Sequence, residues 1–309
     1  MKLLTTGLFV SATILGGMLV APQGESVEAS VLHTGYQQVA DVATRRGPAT
    51  EVSQGMAITD HYAYVIRQRA GQKGVTYMQR VDLNNNQKVD MGNHEFGHGN
   101  DLTYKSGELF VVKTGGSNKA GANVNVYGIN GTHLKYKRAL TIKEGNRKVN
   151  VSANAWDDRN HHMIYQENNK LYVANSTNPY ETKVHRVKGL MTDTARHQWA
   201  KTASGVSQGM TVDPLHNQLY YTRSYNLTPG KAMTMGNQTY IGSVSLSDLY
   251  RNKITAGSTD ALVKYAKSNS VLEVEGLAFQ HGNLYFNTNS VKDKGHWSTT
   301  QQDIIGRIK

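Results

Sequence analysis

The chain has 309 residues, of which 38% are hydrophobic and 18% charged, which excludes a disordered polymer and leaves room for one large all-β domain or two ordinary domains. It has no Cys, which excludes both disulfides and a lipid-modified cysteine, so folding rests on an apolar core. A net charge of +11 favours polyanionic partners.

The first element is a processing segment. Lys2 gives a positive start, Leu3 to Val20 is mostly apolar, and Val27-Glu28-Ala29 offers small residues for signal-peptidase cleavage before Ser30. Residues 1–29 are therefore expected to be a signal peptide and 30–309 the mature domain. Cleavage removes one Lys and two Glu and raises the net charge to +12. An exported, Cys-free, basic chain fits a Gram-positive envelope. The partners to expect there are teichoic acid, acidic polysaccharide or an anionic membrane surface, and not nucleic acid. The 12 His residues add charge as pH falls through about 6.5.

The mature chain is organised by a repeat. Ser53-Gln54-Gly55-Met56-Ala57-Ile58 returns as Ser207-Gln208-Gly209-Met210-Thr211-Val212. Weaker copies begin at Asn100, Asn154 and Glu275, giving spacings of 46, 54, 54 and 67 residues. Each head opens a short β run. A second, aromatic-led run follows: Tyr64–Arg67, Phe110–Lys113, Tyr172–Asn175, Tyr220–Arg223 and Tyr285–Thr288. Third runs follow at Tyr77–Val81, Val124–Ile129, Lys183–Val187, Tyr240–Val244 and Ile304–Ile308. The longer spacings require insertions, placed at Thr192–Thr202 and Thr255–Tyr265, with a helical turn.

Units of about 40–50 residues with four strands each are the sequence mark of a propeller. The predicted fold is an all-β, five-bladed β-propeller. The last unit stops at a third strand, and Tyr36–Val42 has no partner of its own, so this N-terminal strand is expected to complete the last blade and close the ring. A β-sandwich or two small β domains would not account for five copies in phase.

In a ring the repeat heads become neighbours. Gln54, Asn100, Asn154, Gln208 and Glu275 are expected to surround one end of the central channel. The second-strand ends bring Arg67, Lys113, Asn175, Arg223 and Asn289 beside them. This predicts a polar, net-positive mouth suited to glycan hydroxyls, carboxylates or phosphates. Glu275 among amide oxygens is also a candidate calcium ligand. The plainer alternative is that these side chains only satisfy strand-end backbone around a water-filled channel.

His94-Glu95-Phe96-Gly97-His98 matches the H-E-x-x-H zinc pattern, which requires a helix. Gly92, Gly97 and Gly99 argue against one, and the stretch leads into the second unit, which leaves His98 near the mouth. His161-His162 reads as a solvated turn, and Trp156, Trp199 and Trp297 as packing residues or sugar platforms. No phosphate loop, nucleophile elbow or paired carboxylates appear, so no catalytic residue is assigned.

The chain resembles the helveticin J family of large secreted bacteriocin-like proteins of lactic acid bacteria. The likeness rests on His33-Thr34-Gly35-Tyr36-Gln37-Gln38-Val39, Ser152-Ala153-Asn154-Ala155-Trp156-Asp157, Ser207–Asp213 and Glu273-Val274-Glu275-Gly276-Leu277. Asn154 stands where the family would carry an acid. The resemblance implies an extracellular, envelope-associated, antibacterial protein. The leading expectation is a monomeric secreted propeller that binds an anionic or glycan envelope component, with a bacteriocin activity as its fullest version. The alternatives are a calcium-dependent propeller hydrolase or lactonase, and a passive adhesin.

Overall fold

The computed structural model describes residues 35–42, 51–69, 72, 75–113, 123–189, 208–225, 238–254, 258–264, 271–291 and 301–309. The expected signal peptide and the insertion at Thr192–Thr202 lie outside the described residues.

Tyr36–Asp41 (β1) comes first in the chain. Blade 1 is Ser53–Thr59 (β2), Tyr62–Gln68 (β3), Thr76–Asp82 (β4) and Lys88–His94 (β5). Blade 2 is Asp101–Lys105 (β6), Glu108–Val112 (β7), Val124–Asn130 (β8) and His133–Leu140 (β9). A small hairpin, Lys143–Glu144 (β10) and Arg147–Lys148 (β11), links it to blade 3. Blade 3 is Ala153–Asp157 (β12), His162–Glu167 (β13), Lys170–Ala174 (β14) and Val184–Arg186 (β15). Blade 4 is Met210–Asp213 (β16), Gln218–Tyr225 (β17), Gln238–Ser245 (β18) and Ser258–Lys264 (β19), with the short helix Leu246–Tyr250 (α1) before its last strand. Blade 5 is Val271–Gln280 (β20), Asn283–Val291 (β21) and Ile304–Ile308 (β22), and β1 is its fourth strand. All five blades are sheets of four antiparallel strands.

Strand alternation builds the ring. In β3, Tyr64 and Ile66 pack toward blade 2 against Leu102, Leu109 and Val111, while Ala63 and Val65 pack toward blade 5 against Ala278 and Ile305. The same division gives five apolar clusters, one at each seam between successive blades. Ring closure is the expected one: β1 runs along β22 from Tyr36 opposite Ile308 to Asp41 opposite Ile304.

Two strand assignments are corrected. In blade 3 the second strand is His162–Glu167, so Tyr172–Asn175 falls on the third strand and Lys183–Val187 on the fourth. In blade 4 the stretch expected to be an insertion contains the outer strand β19, and the helical turn lies earlier at α1. The His94–His98 stretch is a strand end followed by a turn, with Phe96 buried in the core and Gly97 and Gly99 at positive φ.

Candidate functional site

The inner strands β2, β6, β12, β16 and β20 all begin at one end of the axis, the head end, and the second strands return to it. The repeated Gln-Gly and Glu-Gly pairs sit in β-bulges, between Ser53 and Met56 and between Val274 and Gly276. The glycines explain why the repeat needs them. A Cβ on Gly55 would stand 2.5 Å from the Asp101 Cα, one on Gly276 2.4 Å from the Met56 nitrogen, and one on Gly209 2.7 Å from the Gly276 Cα. The inner strands of adjacent blades therefore touch backbone to backbone around the axis.

Asp101 takes the place in blade 2 that Gly55, Gly209 and Gly276 take elsewhere. It is fully buried, and its Oδ2 accepts the backbone N–H groups of Asn154 (3.0 Å) and Met210 (3.2 Å). Burial holds its carboxyl well above the usual aspartate range, against the pull of the N–H donors. An acid at the one repeat position otherwise filled by glycine or alanine is a signal that the sequence carried and that head-residue reasoning passed over.

The predicted heads are brought together but are not open. Gln54, Asn154, Gln208 and Glu275 are buried, and so are Asn289 and Arg67 beside them. Asn154 Nδ2 donates to the Phe110 carbonyl (3.1 Å), and Asn287 Nδ2 donates to the Gln54 carbonyl (2.6 Å). Asn100 is half-buried. Arg223 lies on β17 beside Tyr240, and its side chain is outside the described residues.

Three expectations are corrected. Asn175 lies at the far end of blade 3, because that blade's third strand runs away from the head; it is exposed and 2.9 Å from His185 Nδ1. Lys113 turns outward to a groove of about 530 Å³ between blades 1 and 2, with Glu95, Asn125, Tyr127 and Tyr136. The mouth is also not net-positive. Arg67 donates to the Val42 carbonyl (2.7 Å) and lies 3.4 Å from both Glu51 and Asp303, all of them buried. Two carboxyls, Glu51 and Asp303, thus offset the one guanidinium described beside the heads.

Glu273 lies two residues before Glu275 on β20. Burial, then Glu273, then Asp303 push the Glu275 carboxyl well above the ordinary range, while Asn289 opposes them. Asp303 is raised by burial, with Arg67 opposing first.

Six buried oxygens at the head end have no hydrogen-bond partner among the described residues: Gln54 Oε1, Asp101 Oδ1, Asn154 Oδ1, Glu275 Oε2, Asn287 Oδ1 and Asn289 Oδ1. Buried acceptors are rarely left so. Hydroxyl donors satisfy such oxygens, and so does a hard cation. No group of three His, Asp or Glu side chains placed to hold a metal occurs among the described residues. The far end of the axis has a funnel of about 310 Å³, lined by Tyr104, Trp156, Thr211, Leu215 and His281 among others.

No known family profile matches the chain, and no curated protein matches it. Among solved structures it is similar to the β-xylosidase RS223, at 7% identity and a TM-score of 0.53, covering 89% of this chain and 95% of that one. It is also similar to a GH43_1 enzyme from Xanthomonas citri complexed with xylotriose, at 8% identity and a TM-score of 0.50, covering 89% of this chain and 90% of that one. At such identities the likeness shows the shared fold, a five-bladed propeller.

Proposed function

We propose that this propeller binds a glycan at the head end of its axis. The observation that carries the reading is the set of six acceptor oxygens that the described residues bury and leave unpartnered, so a ligand reaches them only by opening the head end. Sugar hydroxyls are donors that satisfy them, and an apolar ligand leaves them unpaired at a cost of about 1–3 kcal/mol each. The fold shared with enzymes solved with xylotriose and with xylose supports the same class of ligand. On this reading the exported protein meets its glycan on a bacterial envelope. Growth inhibition of related bacteria separates a killing bacteriocin from a passive adhesin.

The test is calorimetric titration with xylo-oligosaccharides and with wall polysaccharide prepared with and without teichoic acid. Gln54→Met keeps the side-chain volume and removes the unpartnered oxygen, so it should weaken binding at least tenfold while the protein stays folded. Binding of none of these glycans, or unchanged binding by Gln54→Met and Asn289→Leu, overturns the reading.

A second reading, glycoside hydrolysis, is favoured by the Glu273–Glu275 pair. A carboxyl held well above its ordinary range is what a general acid requires, and such chemistry needs a second carboxylate beside the bond. Glu273 is the candidate. Calcium enters this reading through Glu275 and the amide oxygens; a chelator that changes neither stability nor turnover counts against it. Reducing-sugar release lost in Glu275→Gln with binding retained supports hydrolysis, and no release from any bound glycan sinks it.

A further inference from the structure

The chain's positive charge is not at the axis. Residues 133–148, 183–188 and 251–253 hold eleven Lys and Arg against one Glu, so 25 residues carry ten of the net +11. They form one band. Outer strand β9 supplies exposed Lys135 and Arg138, the latter stacked 4.0 Å over the Tyr180 ring of blade 3. At the seam between blades 2 and 3, Lys143 bridges Lys183, and its N–H donates to the Thr182 carbonyl (2.8 Å). At the seam between blades 3 and 4, Lys188 bridges Lys253, and the Ile254 N–H donates to the Lys188 carbonyl (2.9 Å).

Some of this charge is already neutralised. Lys137 reaches Glu108 (2.5 Å), and Arg147 reaches Glu144 (2.8 Å) and Glu167 (3.0 Å). Glu181 accepts from the Ser176 hydroxyl and the Lys183 N–H, and its charge also acts on Lys183. No ion pair engages Lys135, Lys143, Lys183, Lys188 or Lys253 among the described residues. Two of the contacts set lysine against lysine across a bridge, an arrangement that repels.

Lysines also guard outer strands against pairing with other sheets, but the other blades do this without net positive charge. The outer strand of blade 1 balances Lys88 with Asp90, that of blade 4 has Asp260 and Lys264, and that of blade 5 carries only Asp41.

We infer that this band is a second binding site, distinct from the axial one, for a flexible polymer bearing phosphate charges. Each blade is turned about a fifth of a circle from the last, so a band crossing three blades curves around the rim. A linear chain follows that curve, whereas a flat membrane touches it only along a line.

The test measures binding of the full chain to inorganic polyphosphate at several salt concentrations, with vesicles containing anionic lipid in parallel. The variant Lys143→Glu, Lys183→Glu, Lys188→Glu, Lys253→Glu is compared with a control of equal net charge, Lys88→Glu, Arg159→Glu, Arg307→Glu, Lys309→Glu. Circular dichroism checks that both fold. The band variant should lose at least tenfold in affinity, and its log–log salt slope should be shallower by about 3; the control should lose less than about threefold. Equal losses in both, or binding to vesicles and not to polyphosphate, overturns the inference.

Discussion

Asp101 Oδ2 accepts the backbone N–H of Met210 at 3.2 Å across 109 residues of sequence. The same oxygen accepts from Asn154, so one carboxyl on blade 2 holds the inner strands of blades 3 and 4. Asp101→Ala leaves both N–H groups buried without an acceptor. The expected loss is about 2–4 kcal/mol, seen as a melting temperature lower by roughly 4–16 °C. Asp101→Asn keeps an acceptor and should cost less, and a melt equal to that of Asp101→Ala would show that the two bonds are not what matters.

Gly55→Ala places a methyl 2.5 Å from the Asp101 Cα, where the obstacle is backbone and cannot rotate away. Denaturant unfolding should show a loss of about 3 kcal/mol or more. Gly35→Ala meets only Lys309 Cδ at 3.9 Å and should stay within about 0.5 kcal/mol of the parent.

Arg67→Ala should act on stability before it acts on any ligand. It leaves Glu51 and Asp303 buried without their cation. Removing one member of such a group costs about 3–5 kcal/mol. A variant that unfolds at the parent's denaturant midpoint would restore Arg67 to a ligand-facing role.

The pH dependence follows from Glu275. Its folded carboxyl is held well above its unfolded range of about 4.3, so the folded state keeps a proton that the unfolded state releases. That contribution is full below about pH 4 and is lost as pH rises through the folded value. Glu275→Gln keeps the neutral form at every pH. It should flatten the fall in stability with rising pH and be more stable than the parent at neutrality. Melting curves taken from pH 4 to 9 that run parallel for the two proteins would contradict this.

The ring was legible because its signals are local. Polar heads, aromatic-led runs and an unpaired strand near the start recur within single units. Blade 3 was misread because its second strand, His162–Glu167, opens on a His pair that reads as a turn, while the Tyr-led run at Tyr172 imitates a second strand. Asn175 went to the wrong end as a result. The heads are neighbours but buried, because Gly55, Gly209 and Gly276 let inner strands of adjacent blades touch, a long-range fact. The misplaced charge has the same origin. Arg67 has no local counter-charge in its own strand, and Asp303, 236 residues later in the sequence, lies beside it.

The closing strand leaves the two described chain ends side by side, with the Lys309 N–H donating to the Gly35 carbonyl at 3.2 Å. Where the polypeptide starts is then arbitrary with respect to the ring. Joining Lys309 to Gly35 through a few glycines and reopening the chain at the hairpin tip Gly145-Asn146 should give a permuted protein with the same five blades. In that protein β1 and β22 become consecutive strands of one covalent unit, and a pairing now held by hydrogen bonds and apolar packing is sewn by the backbone itself.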